Sequence, residues 1–205
     1  MGSRDDLLAA VQRRLNADPT ASMADLAEAA GVGRATLHRH FASREDLLRD
    51  IGTRSLDRWE QSLDAAGVAA AVSSGDRATV EAALRDVIAR FVADSDDFGF
   101  ALTDTFMLHD PDHKARSEQL FDREVTLYAA AQATGLMRPE VPARWIGHTV
   151  YGLLVAARDA LDTGDVARRG LADLVLDTLL SGLTTPDRPS PTSLTSLTHL
   201  HGASS

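Results

Sequence analysis

The chain of 205 residues is 44% apolar with a formal charge of -9, a composition that supports a buried core and excludes a disordered chain. It has no cysteine, which excludes disulfides, thiolate metal sites and thiol nucleophiles and fits the reducing cytoplasm. No apolar run reaches the length of a membrane span, and Met1 to Arg14 lacks the apolar stretch of a signal peptide, so a cytoplasmic protein without a membrane partner is expected.

Strand-type alternation is nearly absent and apolar spacings of three and four recur from end to end, so the expected fold class is all-α, with about nine helices. Leu7, Leu8, Val11 and Leu15 form the buried stripe of the first, which stops at Asn16-Ala17-Asp18-Pro19. Ser22 caps a second helix that ends at Gly31, and after a tight Val32-Gly33 turn a third runs from Arg34 to Phe41. Ser43 caps a fourth, carrying Leu47, Leu48, Ile51, Trp59 and Leu63 to about Ala65, before Gly67 to Gly75 interrupts the pattern. Asp76 starts a fifth helix through Val92, and a sixth is expected from about Asp97. Asp110-Pro111 starts a seventh that runs to Gly135. An eighth spans about Val141 to Asp162 and a ninth Val166 to Gly182. The expected organisation is a helix-turn-helix domain over 1–51, a linking fourth helix over 43–65, a second helical domain over 52–183, and a poorly ordered Ser/Thr/Pro-rich tail over 184–205.

The negative average conceals one positive segment: Gly31 to Arg49 holds Arg34, Arg39, Arg44, Arg49, His38 and His40 against only Glu45 and Asp46. Leu26, Ala27, Ala30, Val32, Leu37 and Phe41 make an inward set, while Arg34, Ala35, Thr36, His38, Arg39 and His40 lie on the outward side of the third helix. Those outward residue types reach base edges and phosphates: Arg pairs bidentately with guanine, Thr touches a thymine methyl, His donates to phosphate. The stretch from Ser22 through Leu48, SMADLAEAAGVGRATLHRHFASREDLL, resembles the DNA-binding domain of the TetR family of transcriptional regulators, with a close match from Leu7 to about Ile51. The resemblance implies that Ser22 and Arg44 grip phosphates and that Thr36, His38 and His40 lie in the groove; Arg34 and Arg39 are candidates for base or flanking-phosphate contact. Two positions depart from the family pattern, His38 where Tyr is usual and Gly33 where Ser is common. Because His38 is titratable, operator affinity is expected to rise modestly as pH falls through the histidine range.

A single helix-turn-helix covers one half-site, so a homodimer on a double-stranded, palindromic operator is expected. Thr149 to Ala157 is apolar nearly all round and needs cover on more than one side, which makes the last two helices the expected interface, with Ile146, Val150, Leu153, Leu154, Leu171, Leu174 and Leu179 as its residues. Aromatic residues with sparse polar groups suit a cavity for an unidentified small-molecule effector; the candidates are Phe91, Phe106, Phe121, Glu124, Tyr128, Trp145, His148 and Tyr151. The family implies a repressor that a ligand releases by moving the fourth helix. His109 and His113 share metal-like composition, but Pro111 between them starts a new helix, so no metal site is expected. No phosphate loop, nucleophile elbow or other catalytic motif is present, and neither an enzyme nor a cofactor is expected. The other function class compatible with these residues is a helical adaptor or a ligand-binding protein without an inducer-controlled switch, which leaves the outward arginines of the third helix unexplained.

Overall fold

The computed structural model describes residues 4–103 and 109–181. Among these residues there are nine helices: α1 Arg4–Ala17, α2 Met23–Ala29, α3 Arg34–His40, α4 Arg44–Ala65, α5 Val68–Ser74, α6 Arg77–Thr103, α7 Pro111–Ala133, α8 Ala143–Thr163 and α9 Leu171–Ser181. No described residue is in a strand and no described helix is long and apolar enough to cross a membrane. The 184–205 tail and Phe106 lie outside the described residues.

The local signals act as their chemistry demands. Ser22 and Asp25 form a reciprocal capping box on α2, and Gly31, at φ +67, turns the chain so that its own amide reaches Glu28 O and the Val32 amide reaches Ala27 O. Asp76 accepts from the Thr79 amide at the start of α6, and Asp110 accepts from the amides of Asp112 and His113 ahead of Pro111.

Three boundaries differ from the sequence expectation. The Gly67–Gly75 interruption contains α5, because Val68 and Ala71 find buried seats between two glycines in the left-handed region. The expected fifth and sixth helices are one continuous α6, since the acidic run at 94–97 does not break it. Asp94 is held by Arg58 and Ser62, the Ser95 hydroxyl bonds back to Val92 O, and no proline intervenes. The last helix starts at Leu171, because the chain from Gly164 to Gly170 forms irregular turns with positive φ at both glycines.

Two hydrophobic clusters result. One joins α1 to the first turns of α4 through Leu8, Val11, Leu15, Leu26, Leu37, Phe41, Leu47 and Ile51. The other joins the rest of α4 to α5–α9 around Leu63, Leu84, Ile88, Leu127 and Tyr128. Phe100 near the end of α6 belongs to the first cluster, and α1 grips the same turn: Asn16 donates to Asp97 O at 2.8 Å and accepts from the Phe100 amide at 2.9 Å, while Gln12 also donates to Asp97 O.

Candidate DNA-reading head and ligand cavity

Leu37 and Phe41 anchor α3 in the first cluster and leave its opposite face to solvent. Arg34, Ala35, His38 and Arg39 are exposed and Thr36 and His40 are half-buried; Arg39 donates to the Thr36 hydroxyl at 3.1 Å. Gly33 caps α3 without a side chain, so none of the helix's first amides has a side-chain partner there. Ser22 is exposed, with its hydroxyl donating to the Asp25 carboxylate at 2.7 Å; that bond and the one from the Ser22 amide hold Asp25 below the usual carboxylate range. Arg44 works as a strut as well as a charge: its guanidinium donates to the carbonyls of Ala21 and Pro19, fixing the start of α4 to the entry of α2. Arg4 is a further component that no local pattern announces. It pairs with Asp50 and lies 4.8 Å over the Phe41 ring, closing α1 onto α3 and α4.

Ion pairing sets the two arginines of α3 apart from many of the others. Arg58, Arg85, Arg90, Arg116, Arg123 and Arg144 each pair with an acid. Arg116 shows the effect most clearly, because Asp57 and Glu60 together raise its pKa. Among the described residues no acid forms an ion pair with Arg34 or Arg39. Their charge therefore remains available to a polyanion.

A cavity of about 540 Å³ opens among α4, α6, α7 and α8. Phe91, Phe121, Glu124, His148 and Tyr151 line it, together with Trp59 and the Arg58–Asp94 pair. Tyr128 stands behind the wall, fully buried, and donates its hydroxyl to Glu124 at 2.5 Å. Glu124 is itself buried, and desolvation pushes its carboxyl up to about 7. The Trp59 indole N–H faces this carboxyl and favours its charged form, although it makes no hydrogen bond of normal geometry. Phe121 fits flush against Gly147, where an added Cβ would come within 2.4 Å of the ring, and it is flanked by His148 at 5.0 Å and Arg144 at 4.8 Å.

At the upper end of the cavity His113, from the first turn of α7, packs on Gly52 of α4. Its Nε2 is 3.2 Å from the Thr53 hydroxyl, and its Nδ1 lies 3.2 Å from Asp110 but outside hydrogen-bond geometry. Asp110 is also 3.5 Å from Arg49, so the α7 start is fastened to α4 just below the head. The contacts of this histidine are structural, and no metal-ligating cluster occurs among the described residues.

Trp145 does not reach the cavity and stands 63% exposed on the outer side of α8. Of the other apolar residues expected on the last two helices, Ile146, Val150, Leu154 and Leu171 are buried in the protomer's own core, and Leu153 and Leu179 pack against it. These positions are taken up because α8 is covered on two sides within one chain, by α7 and by α6 with α9; periodicity alone cannot say which apolar side is left over. Leu174 is 50% exposed, and Leu180 is exposed as well.

Residues 19–51 match the family model described as bacterial regulatory proteins, tetR family. Over 91% of its length the chain is 31% identical to the HTH-type transcriptional repressor LfrR of Mycolicibacterium smegmatis, covering 93% of that protein. The crystal structure of the TetR-like regulator LfrR in complex with proflavine is 28% identical, with a TM-score of 0.69 over 89% of this chain and 97% of that one. AibR in complex with isovaleryl coenzyme A and operator DNA, 20% identical, shares the fold with a TM-score of 0.67 over 86% of this chain and 97% of that one. With a reading helix whose arginines are unpaired, and with this likeness along nine-tenths of its length, the chain belongs to the TetR family of transcriptional regulators.

Proposed function

We propose that the protein is a repressor that grips a palindromic operator as a homodimer in the cytoplasm and lets go when a small molecule fills the cavity. One observation carries this reading. Helix α4 contributes Leu47, Leu48 and Ile51 to the core of the head and, over the next two turns, Gly52, Ser55, Leu56 and Trp59 to the cavity wall. A ligand that displaces the wall of α4 therefore displaces the head, and its leverage equals its preference for the released form over the bound one. In these terms residues 1–51 read DNA, 52–183 sense and dimerise, and α4 links the two.

The reading residues are Arg34, Ala35, Thr36, His38, Arg39 and His40, with Ser22 and Arg44 gripping phosphates at the rim. The repressor role of LfrR and its complex with proflavine support an effector-released mechanism here. For the dimer, the outward stripe of α8 offers Trp145, Thr149, Gly152 and Ala156 at helical spacing, and Leu174 and Leu180 of α9 extend it. Small residues in that stripe permit close approach of a partner helix, and the pairing sets two reading helices ~34 Å apart.

The test is an electrophoretic shift with the DNA upstream of the protein's own gene. Arg34→Ala and Thr36→Ala are each expected to weaken binding by about 1–3 kcal/mol. Affinity should also fall steeply with salt. Binding that ignores salt and both substitutions sinks the regulator reading.

A further inference from the structure

Building on the effector-cavity reading, we propose that the ligand is a flat aromatic cation whose positive charge sits against Glu124. The wall supplies both halves of such a site. Trp59, Phe91, Phe121 and Tyr151 line the cavity, and aromatic rings hold planar rings by stacking and cations by their quadrupoles. Glu124 supplies the counter-charge: it is 4% exposed, reaches the cavity from the middle of α7, and among the described residues has no cationic side chain paired with it.

Of the other two acids that line the cavity, Glu118 is exposed and Asp94 behaves differently. Asp94 is already satisfied by Arg58 at 2.6 Å and Ser62 at 2.7 Å. Glu124 is faced by the Tyr128 hydroxyl and the Trp59 indole N–H, neutral donors that orient the carboxyl without supplying a positive charge. A buried carboxylate without a cation is costly, and a cationic ligand removes that cost when it arrives. Burial raises the Glu124 carboxyl to about 7, so the proton it carries in the empty cavity leaves as the cation binds. The groups that face this carboxyl or share its cavity are Tyr128, His113, Lys114 and Glu118 on α7, Arg58 and Trp59 on α4, and Asp94 on α6. Helix α8 adds Arg144, His148 and Tyr151. Because other ionisable groups share the cavity, the carboxyl must be tested by substitution.

The experiment titrates the full chain with proflavine, a three-ring cation, and with phenazine, its uncharged three-ring counterpart, between pH 6 and pH 8. Proflavine affinity is expected to rise about tenfold across that range as the carboxylate forms. Phenazine should bind more weakly and with no such slope. Glu124→Gln keeps an acceptor for the Tyr128 hydroxyl; it should fold with an unchanged or higher melting temperature, lose about tenfold in proflavine affinity at pH 8 and flatten the slope, leaving phenazine alone. Equal affinity for the two ligands, tighter binding at lower pH, an unaffected Glu124→Gln variant, or no binding of either ligand overturns the cation site. Operator release, followed in the same samples, tests the effector reading separately: a cation that binds at Glu124 yet leaves the operator complex intact removes the effector role and keeps the site.

Discussion

Gly33 and Glu124 show how much a single side chain decides here, one by its absence and one by its burial. At the start of α3 an N-cap side chain is missing in an otherwise well-capped head, and a Cβ at Gly33 would meet nothing within 4 Å. Gly33→Ser is therefore expected to raise stability by a few tenths of a kcal/mol, roughly 0.5, read as a higher melting temperature. Glu124 acts through pH. Its folded carboxyl is raised to about 7 from an ordinary 4.5, so the folded state holds a proton that the unfolded state gives up between these values. Stability from this residue is thus fully present below pH 4.5, falls as pH rises, and is lost above about 7, with a total on the order of 3 kcal/mol. Denaturant unfolding of Glu124→Gln should show a smaller decline over that interval and a protein more stable than the original at pH 8. A decline of equal size in both proteins would assign the pH dependence to other groups.

Between elements, the structure turns on close approaches. Asn16 of α1 inserts both its donor and its acceptor into the Asp97–Phe100 turn of α6, tying the head to the body independently of α4. Asn16→Ala leaves those backbone groups without this partner and is expected to cost about 1–3 kcal/mol in unfolding free energy. Gly147 plays the same part on α8, where only a hydrogen lets Phe121 lie flat. Gly147→Ala forces the ring from its seat in the cavity wall, so ligand affinity should fall about tenfold, the equivalent of roughly 1.4 kcal/mol, while operator binding without ligand stays unchanged.

The elements differed in how openly the sequence declared them. Gly31, Ser22, Asp76 and Asp110 announce caps whose geometry depends on neighbours within a few residues, and their helices begin or end where expected. The acidic run before Gly99 looked like a break because its partners, Arg58 and Ser62, lie some thirty residues away in the chain. Arg4 and Arg44 gave no local sign of their struts for the same reason. Of the cavity candidates, Phe91, Phe121, Glu124, His148 and Tyr151 line the cavity, whereas Tyr128 lies behind its wall. The exclusion of Trp145 was not legible in the sequence, because which side of an all-apolar helix faces solvent depends on what the other helices have already covered.

For the whole molecule, the proposed assembly rests on the exposed apolar residues of α8 and α9. Leu174→Glu places a charge at a half-exposed position of α9, and it is expected to yield folded monomers in sedimentation experiments with operator affinity reduced at least about a hundredfold. Dimers that persist in this variant would place the interface elsewhere. The arginine inventory bears on a different matter, the search for the operator. A chromosome offers an immense excess of wrong sites, and a regulator must leave each of them quickly. Because six arginines of the body are matched by acids and the net charge is strongly negative, the proposed dimer would hold random sequence mainly by its two reading tips. Such a molecule dwells briefly at each wrong site and moves by short hops through solution more than by sliding along the duplex.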